Sequence, residues 1–311
     1  MDNWQPSTLT WSFSRKVHFD SCRRHYFYQR FWGQDPRLRW KIYEMRNITT
    51  MMMLRGQVVH EIISGMLRTV RLGLPAEIEE AKASVTDILR ARYMESAKRL
   101  WHIDNRPKER KISGITNLLE HYYGFPNTEQ RVREARLVAW QCVENLMGSQ
   151  IWAEIVSSDV EKWLEIDEEE GFQSFDLDGI QVYPKIDFSH SCGGPTIIDW
   201  KTGNPSEQDR KQLVLYSLYA QSKWEWDPVE VDLAAVYLQP EMRVERFRAS
   251  TEELESVRDE VRRSFEEMME LEPAFGPAEI EKFPMTDDTK ICGWCRFQGA
   301  CRRKDGSSAD E

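Results

Sequence analysis

Asp199 and Lys201 lie two residues apart in the run Thr196 to Lys201, where Ile197 and Ile198 give the segment the character of a buried strand. Strand periodicity sends Asp199 and Lys201 to one face of a sheet and Trp200 to the other. Asp187 follows a preceding strand, so the two carboxylates can converge across neighbouring strands. Such a pair makes a hard-oxygen site suited to Mg2+ or Mn2+. A lysine beside it can orient or help deprotonate an attacking water and offset charge in a phosphorane-like transition state. Hydrolysis of a phosphodiester is the chemistry this set could perform. An isolated Asp-x-Lys would read as a surface ion pair. Here Thr202-Gly203 gives the strand a sharp exit at which a site can open.

The elements that must position these residues can be traced from the apolar spacing. A short helix is expected between Thr10 and Phe31, entered through Ser12 or Ser14, and a second from Met51 to Leu72, ending near Gly73-Leu74-Pro75. From Ala76 to Ser157 the pattern is helical, broken at Arg106-Pro107 and Gly124-Phe125-Pro126. Strand patterns follow at Val160–Ile166, Phe172–Leu177, Gln181–Phe188 and Thr196–Lys201, with turns at Glu170-Gly171, Asp178-Gly179 and Gly193-Gly194. They read as an antiparallel meander. Glu207–Ser222 returns to helical spacing, Val229–Gln239 reads as a strand, and Ser250–Leu271 as a long charged helix. The result is an α/β core. The chain divides into N-terminal helices (1–75), a helical lobe (76–157), a core (158–272) and a C-terminal cysteine segment with a tail (273–311), of which 305–311 is expected to fray.

Gly56-Gln57-Val58-Val59-His60, Ile186-Asp187, Ile198-Asp199-Trp200-Lys201-Thr202-Gly203 and Gln212-Leu213-Val214-Leu215-Tyr216 occur in that order. With them the chain resembles the RecB-like branch of the PD-(D/E)xK nucleases, whose pattern is a helical histidine, an Asp after a strand, an Asp-x-Lys-Thr-Gly and a Gln-x-x-x-Tyr helix. The resemblance implies a restriction-endonuclease-like core, a central mixed sheet flanked by helices, with a helical insertion. It also implies that His60, Asp187, Asp199 and the backbone carbonyl of Trp200 ligate Mg2+ or Mn2+, while Lys201 acts on the water. Gln212 and Tyr216, four apart on one helical face, would position the substrate backbone and the lysine. Many relatives carry a glycine shortly before the first Asp, where this chain has Pro184 and Lys185. Pro184 suits only a sheet edge or a bulge, and Lys185 is expected to face DNA.

Cys292, Cys295 and Cys301 put three thiols within ten residues, in a segment too short and polar to form a core. Cys22 is the candidate for a fourth. Four thiolates accept either a 4Fe-4S cluster or a structural Zn2+, and spacing alone does not separate the two. One cysteine before the histidine helix and three after the core resembles the iron-sulfur subgroup of the same nucleases, which implies a cluster clipping the chain ends together. Cys142 reads as a core residue and Cys192 as a turn residue.

A net charge of -10 is not the footprint of a protein that coats nucleic acid without preference. Basic residues are nevertheless concentrated between Arg15 and Lys41 and between Arg90 and Arg136. Trp32, Tyr43, Trp101, Tyr122 and Tyr123 lie among them and could stack unpaired bases or pack in the core. No apolar run suits a membrane span, no secretory signal is apparent, and cytoplasmic location is expected. No glycine-rich ATP loop is present, so any helicase would be a separate partner. The expectation is an exonuclease on single-stranded or end-bearing DNA. The alternatives are a non-catalytic DNA-binding or scaffold subunit of a repair, recombination or defence complex, and a zinc-stapled hydrolase of other phosphoesters.

Overall fold

The computed structural model describes residues 6–102, 104–105, 111–167 and 173–301. The expected break at Arg106-Pro107, the turn at Glu170-Gly171 and the tail 305–311 lie outside the described residues.

Ser12 caps α1 (Phe13–Ser21), its hydroxyl accepting from Arg15 N–H. The chain then breaks rather than continuing to Phe31. Cys22 is extended, with φ −165° and ψ 113°, and α2 (Arg23–Arg30) starts anew after it. Next come α3 (Arg39–Arg46), β1 (Ile48–Thr49) and α4 (Met51–Arg71), which begins where the Thr50 hydroxyl accepts from Met53 N–H. The following stretch contains α5 (Ile78–Ala97), β2 (Asn117–Leu118), α6 (Leu119–Tyr122), α7 (Thr128–Met147) and α8 (Gln150–Val156). It is mainly helical, with β2 running parallel to β1 as the exception to the expected pattern.

Five strands form the main sheet, in the order β3 (Trp163–Ile166), β6 (Phe188–His190), β7 (Thr196–Lys201), β8 (Asp232–Tyr237), β9 (Arg243–Phe247). β7 and β8 are parallel and joined through α9 (Glu207–Trp224), while the other pairs are antiparallel. This is a mixed sheet, and the expected meander is corrected: β3 pairs with β6, and the two strands between them in sequence lie outside the main sheet. The expected strand Gln181–Phe188 splits, because β5 (Ile180–Val182) leaves the main sheet to pair with β4 (Phe175–Leu177) in a separate hairpin. Pro184 lies between β5 and β6, where the missing N–H costs no ladder bond. The hairpin is tied instead to the N-terminus, with Trp11 N donating to the Gln181 carbonyl at 2.8 Å and Tyr183 N to the Trp11 carbonyl at 2.9 Å. The β3 segment opens with a 3-10 turn at Val160–Lys162, and β9, unexpected from its mostly charged and polar spacing, forms the sheet edge.

β7 is buried on both faces. Ile198 and Trp200 pack into a core with Leu54, Val58, Leu89 and Val143 of α4, α5 and α7. Ile197 packs on the other face with Leu213, Leu218 and Val261 of α9 and α10 (Thr251–Glu270). A third core joins Phe19, Tyr26 and Phe27 to Phe283 and Phe297, so the two chain ends share one apolar centre. A last short helix, α11 (Thr289–Cys292), leads into the cysteine segment.

Candidate active site

Three elements converge where β7 ends. Gly56 lets α4 approach the exit of β7: a Cβ there would stand 3.1 Å from Thr202 Oγ1. The Thr202 carbonyl is held from both sides, by Arg55 Nη2 at 3.2 Å and Gln239 Nε2 at 2.5 Å. One turn along α4, His60 Nδ1 meets Asp187 Oδ1 at 2.8 Å. The second oxygen, Asp187 Oδ2, accepts Trp200 N–H at 2.8 Å, so the carboxylate is fixed between α4 and β7. Asp187 and Asp199 are both 3% exposed, and a cavity of about 670 Å3 opens onto them.

Lys201 projects beside Asp199 as its two-residue spacing requires. Its Nζ lies 2.7 Å from Asp199 Oδ2 and 3.3 Å from Asp209 Oδ1. It also donates to Gln212 Oε1 at 2.8 Å, and Gln212 Nε2 donates to the Tyr216 hydroxyl at 2.5 Å. The amide of Gln212 is thereby fixed in one orientation by a cation at one end and a phenol at the other. Trp200 itself is turned into the α4 and α7 core, leaving its backbone beside the acids.

The buried charges set one another's protonation. Burial favours the neutral acid at Asp199, and the neighbouring Asp187 charge adds to it; together they outweigh Lys201 and push Asp199 up to about 6. Burial acts the same way on Asp187, but the His60 ring and the Trp200 N–H outweigh it and hold this acid below its ordinary value. His60 is correspondingly raised, burial being overcome by Asp187. Burial would discharge Lys201, yet Asp199 and Asp209 raise it, so the ammonium stays protonated. In this arrangement it is a charged hydrogen-bond donor. Tyr216 is raised by burial and by both acids, so its hydroxyl stays neutral.

Among the described residues, no group of three or more His, Cys, Asp or Glu side chains stands ready as a metal cage. The carboxylates are engaged instead with His60 and Lys201. The donor chemistry nevertheless suits a hard divalent cation: two buried acids raise one another's cost of ionisation, and a cation between carboxylates relieves that repulsion. The cysteines are free thiols. Burial pushes the Cys295 thiol up to about 11, and Cys22, Cys301 and Cys292 each add to that rise, so the four lie within electrostatic reach though not in a ligating arrangement. Cys142 is buried in the α7 core, and the Cys192 thiol donates to the Asp159 carbonyl at 3.3 Å.

Several residues at the site were not apparent from spacing. Asp209 braces Lys201 while completing the capping box of α9 with Ser206, and the Ser-x-x-Asp pattern at 206–209 was the available signal. Asp167, in a left-handed turn with φ 38°, takes Lys185 at 3.4 Å and Ser64 Oγ at 3.3 Å, and its N–H donates to the Asp187 carbonyl. Lys185 therefore lines the cavity while paired to Asp167. Of the aromatic residues considered for base stacking, Trp101 is a core residue, 4% exposed and 5.0 Å from Tyr122.

The model of the PD-(D/E)XK nuclease superfamily matches residues 10–302. The chain belongs to this superfamily. The match takes in every residue of the acid and lysine centre together with all four of the outlying cysteines. Among curated proteins no match is found. Superfamily members are generally nucleases that use Mg2+ or Mn2+, and no helix among the described residues is long and apolar enough to cross a membrane.

Proposed function

We propose that this superfamily member is a DNA exonuclease of the RecB-like branch, acting on single-stranded or end-bearing DNA, with a 4Fe-4S cluster on Cys22, Cys292, Cys295 and Cys301. The observation that carries the hydrolytic part is Lys201, held by Asp199, Asp209 and Gln212 in the lining of the cavity that opens onto both acids. His60, Asp187, Asp199 and the Trp200 carbonyl would hold Mg2+ or Mn2+. When bound, such an ion supplies Lewis acidity to the phosphate and acidifies the attacking water.

The chain's own residues account for the rest. Asp187 holds the His60 ring and the Trp200 backbone in place. Lys201 donates to a non-bridging phosphate oxygen and offsets the charge that grows there. Gln212 and Tyr216 keep the ammonium in one position, which favours an aligned attack. The cysteine reading rests on the resemblance, with Cys22, Cys292 and Cys301 within electrostatic reach of Cys295, and with Cys295 and Cys301 packed on the core that the two chain ends share.

Cleavage of end-labelled single- and double-stranded DNA with Mg2+ or Mn2+ tests this. The native protein should degrade an end-bearing strand, while Lys201→Ala and Asp199→Ala lose at least about a hundredfold in rate. Equal activity in all three proteins removes the site. DNA binding without cleavage would select the scaffold alternative.

A further inference from the structure

A second cavity, of about 400 Å3, lies among the first helices and shares no lining residue with the acid and lysine centre. Arg15, Arg30 and Arg46 line it together with Tyr26, Gln29 and Trp32. Arg30 is neutralised by Glu272, through Nε at 2.7 Å and Nη2 at 3.0 Å. The other two guanidiniums are different. Arg15 donates to the carbonyl and, at 2.6 Å, to the hydroxyl of Thr10, both uncharged. Arg46 lies 5.2 Å over the Trp32 ring, and its buried Nε has no hydrogen-bond partner. Among the described residues, neither has a carboxylate within ion-pair distance.

Two neutral groups on the same cavity are also unsatisfied. Tyr26 is 1% exposed and its hydroxyl makes no hydrogen bond, and Gln29 Oε1 is likewise without a donor. Buried polar groups are nearly always paired, because one left alone has lost its water without gaining a partner. Their concentration on one cavity, beside two cations with no carboxylate in contact and only the longer-range charge of Glu272 acting on Arg15, points to an anionic ligand with further hydrogen-bonding groups. We propose that this cavity binds a nucleotide unit, its phosphate held by Arg15 and Arg46 and its base lying against Trp32.

A guanidinium fork matches phosphate oxygens in pairs, and an indole face accepts any base by stacking. The volume falls within the range of small-ligand sites. Burial pulls both guanidiniums down, opposed by Tyr26 and Glu272 at Arg15 and by Tyr43 at Arg46, and aided by Arg30 and Arg296 respectively; an added anion would act against that fall. The unit is either a free mononucleotide or one residue of a bound strand, and the chemistry is the same.

Calorimetric titration of the full-length protein in EDTA tests this, with thymidine 5′-monophosphate, a short 5′-phosphorylated oligothymidylate and inorganic phosphate as probes. Arg46→Gln should weaken nucleotide binding by about tenfold or more, the loss of a charged hydrogen bond. Tyr26→Phe should weaken it several-fold without lowering Tm, since it deletes an unpaired buried hydroxyl, and this variant keeps the test open if Arg46→Gln folds poorly. Arg46 and Tyr26 line this cavity and not the proposed catalytic centre, so a loss of binding in both variants assigns the binding to this cavity. Binding of the monophosphate supports a free-nucleotide site, and binding of the oligonucleotide alone supports a strand site. The proposal is overturned if neither probe binds, if Arg46→Gln and Tyr26→Phe bind as the native protein does, or if inorganic phosphate binds as tightly as the nucleotide.

Discussion

Asp199 carries the largest electrostatic burden in the site, and its consequences run in opposite directions for stability and activity. Its folded-state value of about 6 lies above the ordinary 3.8, so the folded protein holds this proton more tightly than the unfolded chain does. The residue therefore penalises folding above pH 6. That penalty falls away as the pH drops through 6 toward 3.8. Asp199→Asn should stabilise the metal-free protein at pH 7 by on the order of 1 kcal/mol, with the gain fading in acid, and should abolish cleavage. Thermal melts across pH, paired with an activity assay, check both halves; an equal loss of stability at every pH would contradict it. Gln212 makes a different kind of contribution, because it touches Lys201 and Tyr216 rather than either acid. Gln212→Ala should lower kcat by about ten- to a hundredfold with little change in KM, as expected when a reacting group loses its aim. The side-by-side placement of Asp199 with Lys201 and of Gln212 with Tyr216 was legible because fixed spacing on a strand or helix dictates a shared face, whereas the place of Asp187 is set by its bonds to α4 and β7. Asp209 was not legible, since its bond to Lys201 depends on how α9 docks on β7.

At the scale of elements, legibility followed the strength of local periodicity. β7 appears with the bounds its β-branched run suggests, and α4 ends one residue before the expected limit. The departures occur where long-range packing decides. Val182 bridges Trp11, some 170 residues earlier, and this draws β5 off the main sheet. β9 alternates weakly, yet β8 offers it a full row of backbone partners. The seam between α4 and the end of β7 is the element contact on which the site depends most directly. Gly56→Ala would gain about 1 kcal/mol of helix propensity, but the new Cβ meets Thr202 Oγ1 at 3.1 Å. The Thr202 backbone is braced by Arg55 and Gln239, so the strain passes to the strand exit that carries Lys201. Cleavage should fall by about tenfold while Tm changes little. A variant with native activity would show that this close approach is not needed.

For the whole molecule, the question is what holds the ends of the chain together, and several forces act at once. Phe19, Tyr26 and Phe27 share a core with Phe283 and Phe297. Arg24 Nε donates to the Phe283 carbonyl at 2.7 Å, Tyr28 to the Ala300 carbonyl at 2.8 Å, and Arg296 Nη1 to the Arg46 carbonyl at 2.8 Å. These contacts do not require the thiols, so a cluster on Cys22, Cys292, Cys295 and Cys301 would add to an existing interface rather than create it. That distinguishes this arrangement from small domains whose fold depends entirely on a metal. Cys22→Ser should therefore remove iron and sulfide and lower Tm by several degrees, yet leave the sheet and the acid and lysine centre folded. Cys22 is especially informative because it is the extended residue between α1 and α2, far in sequence from the other three, so its loss opens the longest loop while sparing the short one between Cys292 and Cys301. Anaerobic purification with iron and sulfide analysis, followed by melting and limited proteolysis, reads each consequence separately. The interface predicts that cleavage will begin in the segment after Phe283, where the C-terminal residues are tied to the N-terminal helices. Native iron content and an unchanged melt in Cys22→Ser would exclude the four-cysteine cluster and leave the hydrolytic centre as it stands.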